Sequence, residues 1–338
     1  MRWLAAYRPD NFTLAIAAAV VVASFLPATG LAATALHYIT IFAIALLFFL
    51  HGARLSREAV LAGALHWRLH LIVLCATFIL FPILGLFLRH ALGVVLPEPL
   101  LVGILFLCLL PSTVQSSIAF TSIAHGNVAA AVCSASLSNL LGIFITPALV
   151  ALLMNLKGGV SLHAVLDIVL QLLAPFLAGH LLRPWIGGFV ARHRYALGYV
   201  DRGSILLVVY LAFSEAVANG LWHKLGVADI VKLMIVCAAV LGAVLLATVF
   251  VARRLGFSRP DEIVIVFCGS KKSLASGVPM AGVLFPLAQV GMIVLPLMLF
   301  HQIQLMVCAA LARRYAAKND VAAISPIPQA QAGAAGAD

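Results

Sequence analysis

The sequence predicts an all-α polytopic membrane protein: ten transmembrane helices in two inverted five-helix repeats, with the fourth and ninth helices broken. Three observations carry this prediction. The 338 residues are 64% hydrophobic and only 9% charged, whereas soluble domains average about 45–50% apolar and about 25% charged residues. Apolar runs near the length of one bilayer pass recur along the whole chain. Arginine and lysine collect in alternate connections between those runs.

The runs are 14–26, 36–50, 70–88, 100–123, 128–154, 162–182, 204–217, 230–251, 263–285 and 290–312. The shorter ones are expected to extend into their flanks. Helix is the state that lipid permits, because a backbone in hydrocarbon must satisfy its own hydrogen bonds. At roughly 20 residues per pass plus a connection, the chain is filled by its spans. It is therefore expected to be one transmembrane unit over 1–319, followed by a disordered Ala-, Gly- and Pro-rich tail at 320–338. Arg2 and Arg8 ahead of the first run imitate a secretory signal, but nine further runs favour a retained helix.

Placing the N-terminus in the cytoplasm puts fifteen of the 21 basic residues on the inside. They run from Arg2 through Arg54, Arg68, Arg183, Arg202 and Arg259 to Lys318. The outside connections hold Arg89, Lys157 and Lys224. A wrong helix count would scramble this alternation, so both ends are expected inside. The net charge of +10 thus belongs to membrane orientation, and no nucleic-acid partner is expected. The six cysteines lie inside apolar stretches without CxxC spacing and read as small buried hydrophobes.

Polar residues at membrane depth carry the functional information. The fourth segment reads Leu110-Pro111-Ser112-Thr113-Val114-Gln115-Ser116-Ser117, where the proline removes a backbone donor and disfavours helix before it. The ninth reads Cys268-Gly269-Ser270-Lys271-Lys272-Ser273, a Gly-Ser break followed by two lysines. The two occupy the same place in successive halves, and five helices per half insert the halves in opposite orientation. That is the plan of many secondary transporters, in which paired broken helices mark the substrate site. Exposed half-helix N-termini favour anions. Taken singly, either segment is explained as well by a kinked helix whose serines bond back to their own backbone. Two at equivalent places, with lysines, favour a site.

Consecutive helical residues point about 100° apart. One lysine is therefore expected to reach the site while the other pairs with a carboxylate, Glu215 or Asp167, or snorkels. A buried lysine also loses its proton readily, which opens proton coupling. In the fifth helix Ser134 and Ser138 share a side with Asn139 adjacent. Packing through small residues accounts for the serines as well as ligand contact does. In the tenth helix His301, Gln302 and Gln304 crowd within four residues and favour a cavity. No HExxH, Walker-type loop, GxSxG or paired-carboxylate motif occurs, so no enzyme is expected.

The order of features resembles the bile acid:sodium symporter family over roughly residues 3–316. The residues that carry the likeness are Arg8-Pro9-Asp10 before the first helix, Gly126-Asn127-Val128-Ala129 opening the fifth and Thr146-Pro147 near its end. The string from Ser270 to Met280 is most similar to the branch of bacterial YfeH-type proteins and vertebrate member 7 of solute carrier family 10. The resemblance implies a core domain of helices 3–5 and 8–10, in which the broken helices cross, and a panel domain of helices 1–2 and 6–7. It also implies sodium sites behind the crossing, here near Ser117, Ser138 and Ser270, and a bacterial cytoplasmic membrane as the location.

The chain departs from the family at those sodium sites. Gly269-Ser270 stands where the branch that transports bile acids has an acidic residue, Thr77 where the second sodium site has a glutamine, and Ser117-Ile118 near the place of a Ser-Asn pair. A lysine ammonium differs in sign from that acid and is expected to stand in for the bound cation or to meet an anion directly. The expected function is alternating-access transport of a small organic anion among membrane lipids, with Na⁺ or H⁺ as coupling ion and no cofactor. Contacts are expected at Thr113, Gln115, Ser116, Ser117, Asn139, Ser270, Lys271, Lys272, Ser273, His301 and Gln302, with Thr77, Ser134, Ser138 and Gln304 as further candidates. The alternative from another class is a non-transporting membrane sensor on the same fold; a channel or an intramembrane hydrolase fits the polar pattern less well.

Overall fold

The computed structural model describes residues 11–54, 66–154 and 162–324, and the regular structure of these residues is helical, without a strand. In chain order the helices are α1 Asn11–Phe25, α2 Gly30–Arg54, α3 Trp67–Ala91, α4 Glu98–Leu109, α5 Gln115–Ile123, α6 Val128–Leu153 and α7 Leu162–Arg192. They continue as α8 Arg194–Ala218, a single turn α9 Leu221–Lys224, α10 Val227–Arg254, α11 Arg259–Gly269, α12 Leu274–Leu284 and α13 Leu287–Ile324. Every apolar run falls on one helix or on a pair of half-helices. The fourth is interrupted between α4 and α5 and the ninth between α11 and α12, at the Pro111 and Gly269-Ser270 positions. Among the described residues, seven spans are long and apolar enough to cross a bilayer by length and composition, counting the pair Arg259–Leu284 as one.

The spans sort by what covers them. Leu31, Leu152 and Leu246 are exposed by 90%, 75% and 74%, as lipid-facing leucines should be. The Arg259–Leu284 segment is wrapped instead, with 94% of its most apolar window buried in protein. Irregular backbone at membrane depth survives where protein encloses it. Around that segment, α11 packs on α3, α5 and α10, while α13 runs against α4 and α12. A second set of contacts joins α1 to α8 and α2 to α7. The α2–α7 approach is so close that a Cβ on Gly52 would stand 1.9 Å from the Phe176 carbonyl oxygen. A Cβ on Gly179 would stand equally close to that of Phe49. Small residues allow such backbone proximity where lipid supplies no hydrophobic drive.

Helix α13 departs from expectation. It continues to Ile324, five residues into the segment expected to be disordered. The physical reason is composition: alanines dominate residues 316–323, and no helix breaker occurs before Pro326. The rest of that tail, the Arg8-Pro9-Asp10 string, Arg2 and Lys157 lie outside the described residues.

Candidate substrate site

The site is built where the two breaks meet. Pro111 cannot continue α4, so the last carbonyls of that helix need other donors. Each finds one. The Cys108 and Leu110 oxygens accept from Lys272 Nζ at 3.0 and 2.7 Å, Leu109 O accepts from Thr146 Oγ1 at 2.8 Å, and Pro111 O accepts from Ser273 N at 2.9 Å. The end of α11 is treated in kind. Ser112 Oγ donates to Cys268 O at 2.6 Å and Ser117 Oγ to Phe267 O at 3.0 Å, stitching one break to the other. Helix α6 braces the junction from behind. Ser138 Oγ accepts from Ser112 N at 3.1 Å, and Gly142 lies so close to Pro111 that a Cβ there would meet the proline ring at 2.5 Å.

Lys272 is fully buried. Its third partner, Thr77 O at 2.9 Å, exists because α3 changes pitch at Ala76–Leu80, a π-helical turn. There the Phe81 N–H bonds five residues back to Ala76 O. The next donor in that register would be Pro82, which has no N–H. Thr77 O is thereby left to the ammonium, which also lies 4.0 Å from the centre of the Phe81 ring. Gln304 fixes the lysine backbone from α13: its Oε1 accepts from Lys272 N at 2.9 Å and its Nε2 donates to Lys272 O at 3.0 Å. Lys271, also fully buried, turns the other way. Its Nζ donates to Ser116 O at 2.8 Å and sits 3.9 Å from the Phe120 ring centre. No carboxylate is among these partners. The expected pairing with Glu215 does not form, because that residue bonds Asn219 near the end of α8; the side chain of Asp167 lies outside the described residues. Orphaned carbonyls take the place the carboxylate was expected to fill.

Beside the junction lies a cavity of about 450 Å³. The first turns of α5 (Thr113–Ser116) and α12 (Ser273–Ser276) both open onto it, together with Asn139 and Ser136 of α6 and His301 of α13. Its other wall comes from α1, α2 and α8, with Phe12, His51, Arg54, Asp201 and Arg202. Two helix N-termini and two arginines, set against the single carboxylate of Asp201, make it an anion-attracting space. Ser273 caps α12 by accepting from Ser276 N, and Ser276 Oγ in turn donates to Asn139 Oδ1 at 2.7 Å.

Of the residues singled out in the sequence, Thr113, Gln115, Ser116, Asn139, Ser273 and His301 line the cavity. Thr77, Ser117, Ser138, Ser270, Lys271, Lys272 and Gln304 are buried in the junction behind it. The Ser270 hydroxyl bonds back to Val266 O. Ser134 is apart, bonded to His70 Nδ1, and Gln302 is not in the cavity wall. The residues missed were His51, Arg54, Asp201 and Arg202. The arginines were assigned to connections by their charge. The available signal was Asp201, an acid placed among the basic residues of its segment.

Known proteins resemble this chain over nearly its whole length. The model of the SBF-like CPA transporter family matches residues 10–317. An uncharacterized protein of Pseudomonas aeruginosa, PA2026, is 60% identical over 94% of this chain and 96% of its own. YfeH of Escherichia coli, named as a symporter, is 59% identical over 90% and 92%. Sodium/bile acid cotransporter 7 of Rattus norvegicus is 28% identical over 92% and 94%. Family and relatives indicate a multi-pass membrane transporter rather than an enzyme. The chain belongs to the SBF-like CPA transporter family.

Proposed function

We propose that the chain is a secondary active transporter carrying a small organic anion across the bacterial cytoplasmic membrane by alternating access. The observation that carries this reading is the convergence of two half-helix N-termini on a cavity lined by His51, Arg54, Arg202 and His301. Helix N-termini and the two guanidinium groups favour an anion there. Its volume suits a small organic molecule.

The reading includes ten passes in two inverted repeats, with both termini cytoplasmic. One device, used at both ends of the bundle, supports it. Helix α4 starts with a proline in its first turn and a glutamate, Glu98, paired with Arg89 from the end of α3. Helix α11 starts with Pro260 and Glu262, paired with Arg253 from the end of α10. The same step from the third to the fourth helix of each half, facing opposite sides, is what inverted repeats produce. The contacts of α1 with α8 and of α2 with α7 accord with a panel of those four helices set against a core of α3–α6 and α10–α13.

In this reading Lys272 is a tethered cation. Three carbonyl oxygens at 2.7–3.0 Å form a cation cradle, and the ammonium fills it. A sodium ion does not suit that donor set, since the oxygens are engaged and a second positive charge would be repelled. Uptake of labelled benzoate and taurocholate into proteoliposomes, under imposed Na⁺ and H⁺ gradients, tests the proposal. Saturable uptake that persists without Na⁺ is the expected result. Strict Na⁺ dependence would sink the tethered-cation reading, and absence of uptake would sink transport itself.

A further inference from the structure

The end of the cavity toward Arg54 holds one carboxylate, Asp201 of α8. Arg54, the last residue of α2, donates to its Oδ2. Its other oxygen, Oδ1, is buried and has no hydrogen-bond partner among the described residues. A buried carboxylate oxygen without a partner among the described residues is costly, so its presence asks for a role.

The charges that face Asp201 are all basic or neutral. From α2 come His51 and Arg54, from α13 comes His301, and on α8 itself Arg202 leans toward the Phe12 ring at 5.9 Å. From α7, His180 and Arg183 lie on the far side of Arg54, in the cleft that Arg54 also lines. Helices α1 and α12 carry no titratable residue over their described lengths.

An incoming anion competes with Asp201 for Arg54, because both are negative and one guanidinium serves both. When the anion takes Arg54, Asp201 keeps a charge in a space that must close around it. A proton from the water on the open side relieves that charge: an O–H bond forms on the Asp201 carboxylate, and the anion remains paired with Arg54. The loaded site then gains one negative charge and one proton, for no net change. On release the proton leaves to water and Asp201 re-pairs with Arg54. We propose, on the basis of the anion-transport reading above, that Asp201 is the coupling-proton site, binding one proton with each monovalent anion.

The test measures protons rather than flux. Purified protein in weakly buffered detergent solution is titrated with benzoate and taurocholate, with binding heat and pH followed together. Wild type should take up about one proton per anion bound, whereas the anion that Asp201→Asn binds, at whatever affinity, should bring no proton. Equal proton uptake by Asp201→Asn overturns the proposal, as does loss of uptake in His51→Gln, which would move the proton to the histidine. Anion binding without proton uptake in wild type removes the coupling site and leaves the transport reading standing. No anion binding by either protein removes both.

Discussion

At the scale of single residues, the question is what Lys272 contributes. A buried ammonium is costly to desolvate, and its partners here are dipoles rather than a counter-charge. Removing it orphans three buried carbonyls, at about 1–3 kcal/mol each. The second effect should win, because Pro82 and Pro111 deny Thr77 and the end of α4 any substitute donor of their own. Lys272→Met is therefore expected to lower thermal stability in detergent by about 2 kcal/mol or more. Greater stability of the variant would mean that desolvation dominates and that the ammonium is retained at a cost to the fold. In Lys272→Ala, Na⁺ should recover part of the lost melting temperature and choline should not, because three vacant carbonyls then face a cation-sized space. Both lysines were legible in the sequence as intramembrane and exceptional, though one was expected to pair with a carboxylate or snorkel rather than to be enclosed like its neighbour. Their partners were not, since Thr77 O becomes available only through the pitch change at Ala76–Leu80, which no residue pattern announces. Asp201 escaped for a related reason: an acid amid arginines reads as surface charge until the fold brings α2 against α8.

At the scale of elements, the breaks and the helix behind them form one mechanical unit. Pro111 and Gly269-Ser270 made the interruptions readable, because each removes a donor or a helix-favouring side chain at a fixed place. What they could not convey was how closely α6 presses on the first break. Gly142 and Gly242 make a matched pair for testing this. A Cβ at Gly142 would stand 2.5 and 2.7 Å from two atoms of the rigid Pro111 ring, so the helices must part. At Gly242, within α10, nothing lies within 4 Å. Gly142→Ala should cost about 1–3 kcal/mol by overpacking, whereas Gly242→Ala should gain up to about 1 kcal/mol through helix propensity. Thermal unfolding of the two single variants side by side checks both signs. Equal effects would mean that α6 does not brace the junction. Gly142→Ala should also slow anion uptake, since Thr113 and Gln115 of the cavity wall hang from the same break.

At the scale of the whole molecule, two cavities lie toward opposite ends of the bundle, one beside the start of α8 and the other beside its end. One is the anion cavity, which extends to Arg54 and Arg202; the other, about 690 Å³, is lined by Arg89, Glu98, Asn219 and Met292. If the four-helix panel and the core rock against each other, Gln115 should be reachable from each side in turn and never from both. Gln115 is exposed within the first cavity, and of the six native cysteines five are buried and Cys75 half-buried, so a Gln115→Cys, Cys75→Ala protein offers one readily accessible thiol. A membrane-impermeant maleimide should label it quickly from the Arg54 end. From the Arg89 end labelling should be slower by about 10-fold or more, as for a minor conformer populated at about 0.1–10%. In the proposed alternating-access mechanism, an anion that favours the opposite-facing state should raise one rate as it lowers the other. A continuous pore would label from both ends together, and an immobile sensor from one end only. The direction of this coupling, more than any single contact, separates a carrier from the other uses of the same helices.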